Sequence, residues 1–396
     1  MKVVVLFHRL GPYHHARLAA IAKYGDLTVI EFSSIDQTYA WDQVKGSPEF
    51  QQITLFDDAD VDTKLPAELA NHITAALNNS RPDVVAIPGW SSRGALAALS
   101  WCNRHGISNI LMSDSTAHDE IRITGKELVK RRLLRLYSAS LVGGKANAHY
   151  LTILGMSCER IFTGYDVIDN HYFAIGSDQA RHDADNIRTR FALPQRFFLA
   201  SNRFIEKKNL PRLLNAYALY RNQAGPAAWK LVLLGDGPLK AQLQALIVQK
   251  DLSPWVLMPG FKQYDQLPAY YGLAGAFIHA STTEQWGLVV NEAMASGLPV
   301  LVSNRCGCAP DLVEEGRNGY TFDPYDVDAL ARLMLNIAAD DCDRAAMGQA
   351  SREIIARWTP QTFAENLYKA AEAALNAPRP KASLLDRMLL WALIRR

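Results

Sequence analysis

Residues Ser281–Val302 read STTEQWGLVVNEAMASGLPVLV. An apolar run, Ala276–Ala280, precedes them and reads as a buried strand ending in small polar residues. Glu284 and a Gln285-Trp286-Gly287 turn follow, then a helix from about Leu288, then a second buried strand over Pro299–Val302. A strand, a helix and another strand in close succession are one step of a parallel α/β sheet. The first N–H groups of such a helix lack intrahelical partners, and with the helix dipole they favour an anion such as a phosphate. Gly287 lets a ligand approach the backbone. Glu284 lies just before the helix and Glu292 about one turn inside it, so two carboxylates can reach different parts of one ligand. One of them could meet a ribose diol, as an acidic residue does in dinucleotide folds. A lone glutamate would read as a solvated surface group; its place beside Trp-Gly at a strand–helix junction argues against that.

The same rhythm runs outward in both directions. In the first half, strands are expected at Val3–Phe7, Leu27–Phe32, Val84–Ile87, Asn109–Met112 and Leu141–Gly143, with helices between them. In the second half they fall at Phe197–Ala200, Lys230–Leu234, Val256–Met258, Ala276–Ala280 and Pro299–Val302. The polar stretch from Gly176 to Arg190, with SDQARHDADNIR at its centre, has no strand signal and reads as a linker. The expected fold class is α/β: two doubly wound Rossmann-like domains facing across a cleft. They cover residues 1–175 and 191–358, with a linker at 176–190 and a C-terminal segment at 359–396 that holds a helix crossing back and an apolar, basic tail. Ligands of such sheets bind beyond the carboxyl ends of the strands, and the cleft is the default site.

Composition narrows the class of activity. The chain has 396 residues, 49% of them hydrophobic and 21% charged, enough apolar material for two cores. A formal charge of +2 argues against a dedicated nucleic-acid binder. Five scattered cysteines read as reduced thiols. No segment approaches the ~20 apolar residues of a spanning helix, so a cytoplasmic protein is expected, at most resting on the inner face of the cytoplasmic membrane.

Two further clusters stand at strand ends. Ser201–Leu210, SNRFIEKKNL, follows the strand at Phe197–Ala200. Arg203 offers a fork of donors and Lys208 a mobile charge, both suited to a pyrophosphate; alone, the segment would read as a solvated basic loop. LLGDGPL, around Gly235, is by itself only a turn signal.

Together these pieces resemble the retaining glycosyltransferases of the GT-B fold, specifically glycosyltransferase family 4. The family's E-x7-E signature corresponds to Glu284 and Glu292, its basic pair to Arg203 and Lys208, and its glycine-bearing strand end to LLGDGPL. GCAPDLVEEGRNGYTFD, from Gly307 to Asp323, follows the family pattern as well. The match runs in family order from about Phe197 to Asp326. The resemblance implies a nucleotide diphosphate sugar as donor, neither cofactor nor metal, and roles for named residues. Arg203 and Lys208 would neutralise the departing diphosphate, and Glu284 would contact the donor sugar near the reacting carbon. Glu292 would hold the ribose hydroxyls. The N–H groups of Gly287, Leu288 and Val289 would cradle sugar and phosphate, with the base near Gly260 and Phe261. The acceptor would be a glycan or lipid-linked glycan in surface polysaccharide assembly.

The first half matches more loosely. Gly11, in HRLGPY, stands where the family has a glycine-rich loop, but the usual double glycine is missing. After the strand at Asn109–Met112 the family often has a His; here Asp114 or Ser115 occupies that place and His118 comes a few residues late. His118 either substitutes after loop rearrangement or is a surface residue. The basic stretch Lys126–Leu136, KELVKRRLLRL, has an apolar stripe at Val129, Leu133 and Leu136. It reads as a helix packed on its own sheet, or as an interfacial helix on anionic lipid. Leu384–Ile394, LLDRMLLWALI, followed by Arg395 and Arg396, is a second candidate for peripheral membrane or partner contact.

Three other readings compete. A catalytically inactive, partner-binding GT-B protein would keep the donor site. A nucleotide-sugar epimerase would need no acceptor. An oxidoreductase is disfavoured because no Gly-x-Gly-x-x-Gly follows the first strand.

Overall fold

A computed structural model describes residues 1–34, 49–57 and 60–396. They form two compact units, Met1–Val167 with Thr359–Arg396, and Ile168–Trp358.

The first unit is built on a parallel seven-stranded sheet. Its strands are β1 (Val3–Phe7), β2 (Leu27–Ser33), β3 (Gln51–Phe56), β4 (Val84–Pro88), β5 (Ser108–Ser113), β6 (Ala139–Val142) and β7 (Ile161–Thr163). Their order is β3-β2-β1-β4-β5-β6-β7, with Val3 opposite both Leu27 and Val84. β1, VVVLF, is buried along its whole length, as expected of a parallel strand covered on both faces. The second unit holds β8 (Phe197–Ser201), β9 (Lys230–Leu234), β10 (Val256–Gly260), β11 (Ala276–His279), β12 (Val300–Ser303) and β13 (Gly319–Phe322), in the order β10-β9-β8-β11-β12-β13. In this sheet the chain winds outward from β8 in one direction, then resumes on its other side at β11. The gap between β8 and β11 is therefore a topological switch point, where loops after the two strands diverge and leave a crevice at their carboxyl ends.

The expected linker is helical. Asn170–His182 and Ala184–Phe191 are helices of the second unit, and the chain passes between units at residues 167–168 and 358–359. The polar character of residues 176–190 belongs to an outer helix face. Phe173, Ser177 and Ala180 form the inner face, and Gly176 and Ser177 lie against Pro268. Spacing of four and three residues along one helix turns a seemingly solvated segment into a packed one.

The chain returns to the first unit with helix Pro360–Asn376, capped by Thr359, whose Oγ1 accepts from the N–H of Thr362 at 3.1 Å. Phe363, Leu367, Ala370 and Ala371 are fully buried there, against β5, β6 and β7. Lys126–Leu136 is packed rather than free. Leu133, Leu134 and Leu136 join the core, and Lys130 is held by Glu120 at 2.6 Å and Glu127 at 3.3 Å.

Candidate functional site

The switch point of the second sheet gathers most of the predicted residues. After β8, the chain makes a short 3-10 turn over Glu206–Lys208, then Asn209 takes a left-handed conformation at φ 57°. Its side-chain amide donates to the carbonyls of Ala280, at 3.1 Å, and Pro324, at 2.8 Å. This ties the post-β8 turn to the end of β11. Thr282 completes the tie by donating its N–H to the carbonyl of Lys207 at 2.9 Å.

The carboxylate of Glu284 is thereby placed against the lysines. Lys208 Nζ pairs with Oε2, and Lys207 Nζ lies 3.6 Å from Oε1. Beneath them is His279, wholly buried, whose Nε2 is 3.2 Å from Ser281 Oγ and 3.6 Å from Glu284 Oε2. Burial opposes the charge of Glu284, but contact with His279 and the positive field of Lys208 and Lys207 outweigh it. The carboxyl is held well below the usual range and stays ionised. Burial in turn lowers the pKa of His279 and favours its neutral form. The result is an anion between two ammonium groups at the carboxyl edge.

Gly287 caps helix Leu288–Ala295 at φ 110°. A Cβ there would lie 3.5 Å from His279 Nε2 and 3.6 Å from Glu284 Cγ, so its bare Cα keeps the backbone close above the His279–Glu284 pair. Leu288 and Val289 open the helix, whose first N–H groups are available to an anion by construction. Trp286 anchors the turn: it is buried against Trp358 with ring centroids 4.9 Å apart, and its Nε1 donates to Asn291 at 3.0 Å.

Arg203 stands at the end of β8, between Asn202 and Phe204. Asn202 donates its N–H to Leu234 at 2.9 Å and Phe204 to Asp236 at 2.8 Å, so the segment is stitched to the GDG turn after β9. The stitching requires glycine: a Cβ on Gly235 would fall 1.8 Å from the Asn202 carbonyl oxygen. Gly235 also donates its N–H to the carbonyl of Gly260 at 3.1 Å, which brings Gly260 and the exposed ring of Phe261 to the same edge.

Glu292 departs from the picture of a side chain open to solvent. It is 1% exposed and accepts the Tyr271 hydroxyl at 2.6 Å. Burial and the neighbouring carboxylate both push the Tyr271 hydroxyl well above its ordinary pKa, so it remains a donor. Tyr271 and His279 were not singled out from the sequence. A histidine ending the otherwise apolar run AFIH was the available signal for one; Tyr271 lies in a helix and carries none. Tyr271→Phe should cost about 1–3 kcal/mol by removing a buried hydrogen bond to the Glu292 carboxylate, read as a lower denaturant midpoint with an unchanged slope.

In the first unit, Gly11 caps helix Pro12–Ala22 and donates its N–H to Nδ1 of His14 at 3.0 Å. Burial, with Arg17 nearby, lowers the His14 pKa to about 3, so the ring is neutral and able to accept. The loop is fixed from below by Glu31, which takes the N–H of Leu10 at 2.7 Å. Asp114 and His118 follow β5, two strands away. Asp114 gives its carbonyl to Asn147, and His118 is exposed in a loop gathered by Arg122, which bonds Thr116, Ala117 and Asp119. Among the described residues no cluster of His, Cys, Asp and Glu could hold a metal ion.

The family model of the glycosyl transferases group 1 matches residues 183–354, which include Arg203, Lys208, Glu284, Gly287 and Glu292 but none of the first unit. The matched segment makes up most of the second unit. Among similar proteins, the GDP-mannose-dependent alpha-(1-6)-phosphatidylinositol monomannoside mannosyltransferase of Mycobacterium tuberculosis is 30% identical over 210 residues, 50% of this chain and 54% of that protein. The amylovoran biosynthesis glycosyltransferase AmsK of Erwinia amylovora is 32% identical over 174 residues, 42% of each chain. The chain thus spans about half the length of the curated relatives it matches. Solved structures match far more of it. HepE of Anabaena, in complex with UDP and glucose, aligns at TM-score 0.70 over 93% of this chain and 98% of its own, with 19% identity. Sucrose-phosphate synthase of Thermosynechococcus elongatus aligns at TM-score 0.73 over the same shares, 93% and 98%, with 18% identity. The fold is that of the GT-B glycosyltransferases, and the switch-point site lies within the segment that the family model matches.

Proposed function

We propose that this chain is a retaining, metal-independent glycosyltransferase that moves a sugar from a nucleotide diphosphate to a glycan or lipid-linked glycan in surface polysaccharide assembly, at the inner face of the cytoplasmic membrane. One observation carries the reading: Glu284 and Lys208 meet at the switch point, directly before the open start of helix Leu288–Ala295. As the C1–O bond of the donor breaks, negative charge grows on the leaving diphosphate. Arg203, Lys208 and the helix N–H groups meet that charge, which lowers the barrier more than it stabilises the bound donor. Glu284 contacts the donor sugar near the reacting carbon, and Glu292 holds the ribose hydroxyls. The acceptor oxygen bonds to C1 on the face the diphosphate leaves, and the acceptor's proton passes to a diphosphate oxygen. No protein base and no cofactor enters the step. One relative is named for GDP-mannose and one structural neighbour was solved with UDP and glucose, so sugar and base are left open.

A second reading, donor binding without turnover, draws on the exposure of His118 and the absence of a His at the family's place after β5. A thermal-shift titration with UDP-, GDP- and ADP-sugars separates the two when paired with a turnover assay. One nucleotide sugar should raise the melting temperature, by mass action on the native state, and a chelator should leave the shift in place. Arg203→Ala should abolish turnover with little change in the unliganded melting temperature. No shift with any member of the panel would sink both readings, and a shift without nucleotide release in the presence of glycan acceptors would favour the second.

A further inference from the structure

Helix Leu384–Arg395 is apolar on two sides. Leu389, Leu390, Leu393 and Ile394 face the core of the first unit and pack it against helix Arg93–His105. The other side presents Leu384, Leu385, Met388 and Trp391, which are 75%, 63%, 59% and 59% exposed. Positions 384, 388 and 391 fall on one stripe, with 385 beside it. Single exposed apolar residues need no explanation, but a stripe on one helix is a contact surface. At 12 residues the helix is too short to cross a bilayer of ~30 Å.

The rim of this stripe is basic. Arg387, Arg395 and Arg396 are exposed and make no ion pair among the described residues, and the Arg395 guanidinium sits 4.2 Å above the Trp391 ring. The one acid of the helix, Asp386, is taken by Arg132 at 2.5 Å. That bond also fixes the start of the helix beside Arg131 and Arg135, both exposed. Residues 120–136 and 377–396 hold eleven basic and three acidic residues in a chain of net charge +2. All three acids, Glu120, Glu127 and Asp386, are already paired.

We propose that the outer face of helix Leu384–Arg395 docks on an anionic lipid bilayer, with the apolar stripe entering the headgroup boundary and the arginines meeting lipid phosphates. Charge decides between this occupant and a second copy of the chain, because a two-fold contact would set one arginine rim against another. The helix Thr124–Leu134 contributes its outward arginines and the exposed Leu128, since Leu133 and Leu134 are buried and Lys130 is engaged.

The test is flotation of the full chain with phosphatidylglycerol-containing vesicles and with phosphatidylcholine vesicles. Binding is expected to the anionic vesicles alone, weakening as salt is raised. The triple variant L385S/M388S/W391S should lose about ten-fold or more of the bound fraction. R387E/R395E should keep its fold and lose the preference for anionic lipid. Circular dichroism and melting temperature check that both variants fold; the altered side chains are exposed. No binding of the parent chain to anionic vesicles would overturn the proposal. So would triple-variant binding equal to the parent's, or light scattering that shows a parent dimer made monomeric by the triple variant. Donor binding is measured separately, so failure here leaves the glycosyl-transfer reading standing.

Discussion

Glu284→Gln is expected to lower turnover by about two to three orders of magnitude, the usual loss when one preorganised group at the reacting centre is removed. The amide keeps the shape of the side chain but cannot balance Lys208 and Lys207, nor hold the donor sugar with a charge-assisted bond. A pH series adds a readout that does not depend on turnover. The native state holds this carboxyl well below its ordinary pKa. The ionised form therefore stabilises the fold fully above about 4.3, the ordinary value, and that contribution is lost as pH falls further toward the native-state value. Glu284→Gln should remove this part of the acid dependence, flattening the decline of melting temperature below about pH 4.3. Wild-type turnover in the variant would remove Glu284 from the chemistry. An unchanged acid limb would remove the charge cluster as its cause.

Gly235→Ala should be the more damaging change to the fold. The new Cβ would sit 1.8 Å from a backbone oxygen of Asn202, and φ is +127°. Neither strand end can yield, because Asn202 is bonded to Leu234 and Phe204 to Asp236. A cost of about 3 kcal/mol or more follows, or roughly 6–12 °C in melting temperature for a unit of this size. Donor binding should fall with it, since Arg203 lies between the two bonded residues. Gly260→Ala is the control. Its φ of 83° carries strain, but its Cβ would meet nothing within 4 Å, so about 1 kcal/mol is expected. Equal losses in the two variants would show that conformation, rather than the close approach, governs the site.

Much of this was open to reading from the chain. Central parallel strands such as VVVLF and FFLAS are buried on both faces, so their apolar runs are continuous and their ends sharp. β3, β7 and β13 give weaker signals for the converse reason: QQITLF, IFT and GYTF are short or mixed, and lie at sheet edges. Polarity alone does not locate the boundary between the units, because the polar residues of 176–190 lie on the outer faces of helices. At the site, Arg203, Lys208, Glu284 and Gly287 were legible as residues at strand ends. The partnership of Lys208 with Glu284 depends on two loops 76 positions apart being sewn together by Asn209 and Thr282. Tyr271 beside Glu292 is likewise a contact between elements, invisible to local spacing.

The second unit is a single uninterrupted segment, whereas the first is split into Met1–Val167 and a returning piece that starts at Thr359. On the ribosome these two halves of one core are made far apart in time. After Val167 emerges, about 200 more residues must be added before Phe363 and Leu367 can reach the sheet they cover, some 10–40 s at ordinary elongation rates. The second unit can fold within that interval, while β5, β6 and β7 wait without the helix that covers them. Chaperone dependence during synthesis is therefore expected to fall on the first unit.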